Sequence, residues 1–498
     1  MKKTKVLHVC GTGSGVGKSI IVAGLCRIFK QEGYNVCPFK AQNMALNSFI
    51  TKEGGEIGRA QAVQAQAAKI QPSVDMNPVL MKPTSDRKAQ IIVRGKAIGN
   101  MDVLTYVNYK KELIKTVCAS YQRLRKKYDL IIMEGAGSPA EINLKQHDIV
   151  NMKMAQYAKA PVILVGDIDK GGVFAWLCGT LDLLTKNERK HVKGLLINKF
   201  RGDRRLLSSG INFLEKKTEK KVLGIIPYFK NIRIPEEDSI PLNEYNNSKT
   251  TRDITISVIH LPHISNFTDM DPFQKEKDVS IKYVNEPQQL KMSDIIIIPG
   301  TKNTLADLAW LKKANLAAAI KANTTATFII GICGGFQMLG NTISDPLNVE
   351  SRLIKNKGLS LLNITTSLGQ RKVTHQIKGK ELSFGIDISG YEIHHGKTKI
   401  DSSVNAFCEI TQRGNKSAKI LDGARSQDGR IWGTYIHGIF DNDVLRQNFL
   451  NQIRKNKNLT ISGKNTVFDP DREYDNLAIL LKNNIDMDCL KKIIDKGV

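Results

Sequence analysis

The eight cysteines, at positions 10, 26, 37, 118, 178, 333, 408 and 489, include no CxxC pair and no Cys/His cluster with zinc spacing. That excludes the small zinc modules and the disulfide-stapled scaffolds, and leaves seven of the thiols as small buried hydrophobes. No apolar run approaches the roughly 20 residues that span a bilayer. Internal repeats and low-complexity tracts are absent. Acidic residues are scarce, 48 against 74 Lys+Arg, for a net charge of +26. Aromatics make up 6%, and no aromatic-interleaved basic stripe accompanies the lysines, which are scattered apart from pairs such as Lys216-Lys217 and Lys220-Lys221. The charge therefore reads as a solvated surface that would attract a polyanionic small substrate, with no nucleic-acid and no membrane partner expected. A homo-oligomer stays open. Met1–Lys5 followed by Val6–Cys10 mimics the charged front of a signal peptide. The apolar run then stops in a glycine-rich loop, as a first buried strand does, so a cytoplasmic location is expected.

What is present is an alternation of short apolar runs with helical patterns, over a length that calls for more than one core. Candidate strands are Lys5–Cys10, Asn35–Phe39, Leu130–Met133, Pro161–Val165, Gly194–Asn198 and Val222–Ile226, then Ile254–His260, Asp294–Pro299, Thr327–Ile332 and Arg430–Ile436. Strands separated by helix-length segments predict two doubly wound α/β domains with parallel sheets. The first should span 1–231 and the second 252–445, with a Pro- and Asn-containing linker at 232–251. Residues 446–498 read as closing helices packed on the second domain.

Gly11-Thr12-Gly13-Ser14-Gly15-Val16-Gly17-Lys18-Ser19 follows the first strand and opens an apolar helical run. Gly13, Gly15 and Gly17 let backbone N–H groups turn toward phosphate oxygens, and the helix N-terminus adds its positive dipole end. Lys18 would reach the β- and γ-phosphates of ATP, and the Ser19 hydroxyl would help hold Mg²⁺. The common pattern places Gly or Ala where this chain has Thr12; its glycine sits one step earlier, at Gly11. Glu134 ends the strand Leu130–Met133 on the same side of a parallel sheet, where it would hold or orient Mg²⁺. Asp167, Asp169 and Arg201 lie at other strand ends, and Asn198 could read the adenine edge. Lys40 and Arg59 are candidate partners for substrate carboxylates or phosphate.

The second chemical signal is Gly331-Ile332-Cys333-Gly334-Gly335-Phe336-Gln337. A strand, a thiol flanked by glycines and a helix make the sharp turn that exposes a nucleophile. The helix N-terminus favours the thiolate, and nearby amides can hold an oxyanion. Its base should be His437, 104 residues downstream in Trp432-Gly433-Thr434-Tyr435-Ile436-His437-Gly438, ahead of His394 and His395. Glutamine binding is expected at the Gly300-Thr301-Lys302 turn.

The cysteine turn with the downstream Tyr-Ile-His-Gly resembles class I glutamine amidotransferases. Most of that class carries a glutamate two residues after the histidine, where this chain has Ile439. The branch that acts on corrinoid precursors also lacks that acid. The N-terminal loop and Glu134-Gly135-Ala136-Gly137 resemble dethiobiotin synthetase. Further segments, in order, are Pro38–Met44, Gly55–Gln61, Val74–Leu80, Asp167–Phe174, Pro262–Asp269, Pro299–Thr304 and Tyr474–Ala478. Together they resemble the cobyric acid synthase family over essentially the whole chain. The resemblance implies an ATP- and glutamine-dependent amide ligase. Its substrate would be adenosylcobyrinic acid a,c-diamide, amidated at the b, d, e and g carboxylates in adenosylcobalamin biosynthesis. Composition and spacing alone reach only an ATP-dependent amidotransferase of unknown substrate. Three alternatives stand beside it: a cobyrinic acid a,c-diamide synthase, a P-loop partition ATPase that binds DNA or membrane, and a non-catalytic module with a degenerate amidotransferase domain.

Overall fold

A computed structural model describes residues 4–85, 88–229, 231, 232, 234, 235, 252–351, 353–461 and 469–498. Most of the expected linker at 232–251 lies outside the described residues.

Six parallel strands form the first sheet, in the order Lys221–Pro227, Val192–Phe200, Val162–Asp167, Lys5–Gly11, Leu130–Glu134, Val36–Phe39. All six were legible as apolar runs. The central strand Lys5–Gly11 is flanked on both sides, so its side chains from Leu7 to Cys10 are fully buried, as expected for a parallel sheet covered on two faces. The phosphate loop leaves this strand and enters the helix Lys18–Gln31. The second domain repeats the plan with Val279–Val284, Ile254–Ile259, Ile295–Ile298, Phe328–Ile332 and Ile431–Thr434 in parallel, closed by an antiparallel Ala424–Arg425.

Two largely antiparallel additions went unread in the sequence, as did the edge strand Val279–Val284 of the second sheet. One is the sheet Gln42–Met44, Val79–Ser85, Lys88–Val93, Lys96–Asp102 in the first domain. The other is the long hairpin Ile364–Glu381 and Asp387–Ile400, which pairs onward with the short strand Ile436–His437. A small hairpin, Ser48–Ile50 with Glu56–Gly58, projects from the first domain onto that long hairpin. There Phe49, Ile50, Tyr391 and Ile393 form an apolar cluster, Thr374 Oγ1 donates to Gly54 O at 2.7 Å, and Gln376 Nε2 donates to Ile50 O.

The tail divides, contrary to its expected packing on the second domain alone. Helix Asp443–Asn456 does bury Leu445, Phe449, Leu450 and Ile453 in the second core. Helices Pro470–Lys482 and Met487–Lys496 instead return to the first domain, where Tyr474, Leu477, Leu481, Leu490 and Ile494 join the core around Lys18–Gln31. Gly24 makes this possible: a β-carbon there would come within 2.3 Å of Leu481 and 3.0 Å of Leu477. Arg27, 1% exposed, anchors the approach through Asp471 at 2.9 Å and Asp475 at 2.7 Å.

Candidate active site

At Gly11 and Gly17 the phosphate loop has no room for a side chain. Gly15 and Gly17 take φ of 69° and 95°, the region glycine enters without strain. A β-carbon on Gly11 would meet the Val16 side chain at 2.5 Å, which explains the shifted glycine. Lys18, nearly buried, curls over the loop and donates to Gly13 O at 2.6 Å and Gly137 O at 3.1 Å. Asn198, near the end of the strand Val192–Phe200 and one strand removed from the loop's own, donates to Val16 O at 2.8 Å and braces the loop. Lys199 does the same from Gly15 O, 2.7 Å away, and reaches Asp167 at 3.0 Å. Asp169 is paired with Arg201 at 2.7 Å, and Arg201 lies over the Tyr228 ring.

Glu134 is the hub of this site. Its buried carboxylate accepts from Ser19 Oγ at 2.8 Å, Lys40 Nζ at 2.8 Å, Gln64 Nε2 at 2.6 Å and Gln61 Nε2 at 3.3 Å. Burial alone would raise its pKa, but the Lys40 charge and these donors prevail and hold it below the ordinary carboxylate value. Lys40 is thus turned to Glu134, and Arg59 lies over Phe49 at the projecting hairpin. The sequence did not single out Gln61 and Gln64, although both sit on the helix Arg59–Ala67 that follows Gly55–Gly58. A hydroxyl and a carboxylate 2.8 Å apart beside a phosphate loop suit Mg²⁺, which takes few protein oxygens and completes its shell from phosphate and water. Among the described residues no group of three His, Cys, Asp or Glu side chains offers a fuller cage.

The thiol site sits in the second domain. Cys333 holds φ 52° and ψ −106° between the strand Phe328–Ile332 and the helix Gly334–Leu339, a conformation that costs on the order of 1–3 kcal/mol and is sustained by its surroundings. Gly335 lets the turn close, because a β-carbon there would fall 1.8 Å from Ile298 O. The Cys333 amide donates to Thr434 O at 2.8 Å. A β-carbon on Gly334 would lie 3.3 Å from Thr301 N, and both residues line the same cavity as Cys333. Thr301 is itself fixed by Oγ1 donating to Asp307 at 2.5 Å, and Asp307 also engages His263 at 2.6 Å.

Cys333, His437, His394 and His395 all line one cavity. Its walls come from both domains, since Lys82 of the first stands beside Lys302, Glu350, Lys372 and Gln337 of the second. Electrostatics separates the histidines. His395 is pushed down to about 3 by burial and by Lys302 and Lys372. His437 goes the other way, up to about 10: burial opposes it, but the Asp269 charge and hydrogen bond prevail, with Cys333 adding to them. Asp269 Oδ2 lies 2.7 Å from His437 Nδ1 and its Oδ1 accepts from Gly438 N at 2.9 Å. Tyr391 stacks on His437, with centroids 5.3 Å apart. Ile439 is fully buried in the apolar core, so the acid comes from the turn Phe267–Lys275. The sequence contained that signal in Pro262–Asp269, but nothing local tied it to the histidine. The thiols of Cys10, Cys26, Cys37 and Cys408 are all pushed up by burial, as inert structural cysteines are.

Residues 7–242 match the CobQ/CobB/MinD/ParA nucleotide binding domain, and residues 255–445 match the CobB/CobQ-like glutamine amidotransferase domain. Relatives align from end to end. The cobyric acid synthase of Clostridium novyi is 48% identical over 100% of this chain and 99% of its own length. That of Dehalococcoides mccartyi strain BAV1 is 49% identical, over 99% of each. That of Caldanaerobacter subterraneus subsp. tengcongensis is 47% identical, over 98% of each.

Proposed function

The chain belongs to the cobyric acid synthase family, and from that premise we propose how it forms its amides. It is a glutamine-dependent amide ligase. Its substrate is adenosylcobyrinic acid a,c-diamide, which it amidates at the b, d, e and g carboxylates to give adenosylcobyric acid in adenosylcobalamin biosynthesis. The observation that carries the reading is a nucleophile turn at Cys333 with a His437–Asp269 pair, in one chain with a phosphate loop. A partition ATPase would have no use for that thiol and histidine, and a non-catalytic module would not keep them in register. Relatives matched along the full chain bear the cobyric acid synthase name, which disfavours the a,c-diamide synthase.

In the glutamine half, His437, oriented by Asp269, takes the proton of the Cys333 thiol as the sulfur attacks. Cys333 Sγ attacks the side-chain amide carbon, and the amides of Gly334 and Thr301 face the oxyanion. His437 gives its proton to the departing nitrogen, so ammonia leaves and a glutamyl thioester remains. Neutral His437 then takes a proton from the water that cleaves the thioester. In the ATP half, the loop amides of Gly13, Gly15 and Gly17 and the Lys18 ammonium grip the phosphates, while Asn198 keeps the loop in shape through its bond to Val16 O. Ser19 and Glu134 would hold Mg²⁺, which draws charge from the β- and γ-phosphates when bound. The γ-phosphoryl group passes to a corrinoid carboxylate, and ammonia displaces phosphate from the acyl phosphate to leave the amide.

Cys333→Ser separates the halves. The variant should lose amide formation from glutamine and retain it from free ammonia with ATP and Mg²⁺, read by product mass. Loss with both nitrogen sources would refute a division into two sites.

A further inference from the structure

Lys302 is 6% exposed and lines the cavity in front of Cys333. Among the described residues no hydrogen bond or ion pair engages its ammonium. A buried lysine is ordinarily paired, because taking a charge out of water without a counter-charge is costly. The two other lysines of this wall follow that rule: Lys82 and Lys372 share Glu56 at 3.0 and 2.6 Å. Burial, then the Lys372 charge, pushes Lys302 down to about 8, the direction of an ammonium short of an anion.

Glu350 stands on the same cavity. One carboxylate oxygen accepts from Thr304 N at 3.1 Å, at the start of the helix Thr304–Lys313. Burial raises its pKa while the Lys302 charge pulls the other way, so the two sense each other, yet they form no direct ion pair. A helix-end contact accounts for one oxygen of Glu350 and leaves Lys302 unexplained. A cation and a carboxylate that do not neutralise each other, beside the nucleophile, are the complement of a zwitterion.

We propose that Lys302 and Glu350 read the free α-amino acid end of glutamine, Lys302 taking the α-carboxylate and Glu350 the α-ammonium. The side-chain amide then lies toward Cys333, and peptide-bound or N-blocked glutamine is excluded. This rests on the glutamine-hydrolysing role assigned to Cys333.

The test compares kcat/KM for side-chain hydrolysis of glutamine, N-acetylglutamine and glutamine α-amide by the full-length protein. Wild type should favour glutamine over each analogue by about tenfold to a hundredfold, as expected for hydrogen bonds to charged groups. Glu350→Gln should erase the preference over N-acetylglutamine and keep that over the α-amide; Lys302→Gln should do the reverse. Glu350→Asp and Lys302→Arg should keep both preferences. Each readout is a ratio on one preparation, so loss of folded protein cancels, and the wild-type ratios stand even if a variant is inactive. Equal use of the three substrates by wild type, or equal losses on all three in the variants, overturns the proposal while leaving the Cys333 assignment intact. Absence of glutamine hydrolysis in wild type overturns both.

Discussion

Where the wider amidotransferase class carries a glutamate, this chain has the buried Ile439, and the charge His437 needs arrives from Asp269, 168 residues earlier. Asp269→Asn should therefore cut glutamine-dependent turnover on the order of a hundredfold or more, since the imidazolium loses its counter-charge. The same pair gives a pH signature. His437 has a folded pKa of about 10 against an ordinary value of 6.5, so its contribution to stability is fully present below pH 6.5 and is lost as pH rises through about 10. Denaturant titrations should show the gap between wild type and Asp269→Asn narrowing across that window. A gap that widens with pH would contradict the assignment. At the other site, Lys18→Ala should lower amide formation by about a hundredfold or more with glutamine and with ammonia alike, because phosphoryl transfer serves both. The loop and the thiol were legible because each is a local strand–turn–helix motif. Asp269, Gln61 and Gln64 were not, because their roles depend on which distant strand end they meet.

Between elements, the least legible contacts are those that cross from one domain to the other. The apolar stripe of Pro470–Lys482 reads as a helix that must bury one face, but its partner is chosen by the notch at Gly24 and the buried Arg27, neither of which local periodicity reveals. Gly24→Val would overpack that notch and should cost about 1–3 kcal/mol, read as a lowered denaturation midpoint with increased hydrogen exchange in both helices. The small hairpin Ser48–Gly58 is a second such case. Glu56, under 2% exposed, neutralises Lys82 from its own domain and Lys372 from the other, and those charges hold its carboxyl well below the usual range against burial. Glu56→Gln would strand two lysines and should destabilise the domain contact by about 3–5 kcal/mol. An unchanged denaturation midpoint would count against a structural role for this cluster.

Across the whole molecule, the ten expected strands supply all six strands of the first sheet and four of the second, which also takes in Val279–Val284 and Ala424–Arg425, and the largely antiparallel additions join the two domains. Lys82 lines the cavity at Cys333 from the first domain, while the helix Arg59–Ala67, which begins where the docked hairpin ends, carries Gln61 and Gln64 to Glu134. The net charge of +26 acts at this scale too. A field of that sign draws in a substrate bearing several carboxylates, so kcat/KM for the corrinoid should fall steeply with added salt, while glutamine hydrolysis, on a zwitterion of no net charge, should respond weakly. The central claim is that the nitrogen of the new corrinoid amides comes from the side chain of glutamine by way of Cys333. The most direct measurement is the product mass formed from adenosylcobyrinic acid a,c-diamide, ATP and Mg²⁺ with [amide-15N]glutamine in the presence of a small pool of unlabelled ammonia. The account predicts conversion of four carboxylates to amides, each carrying the label. Amidation of unmodified cobyrinic acid but not of its a,c-diamide, or amides without label, would contradict it.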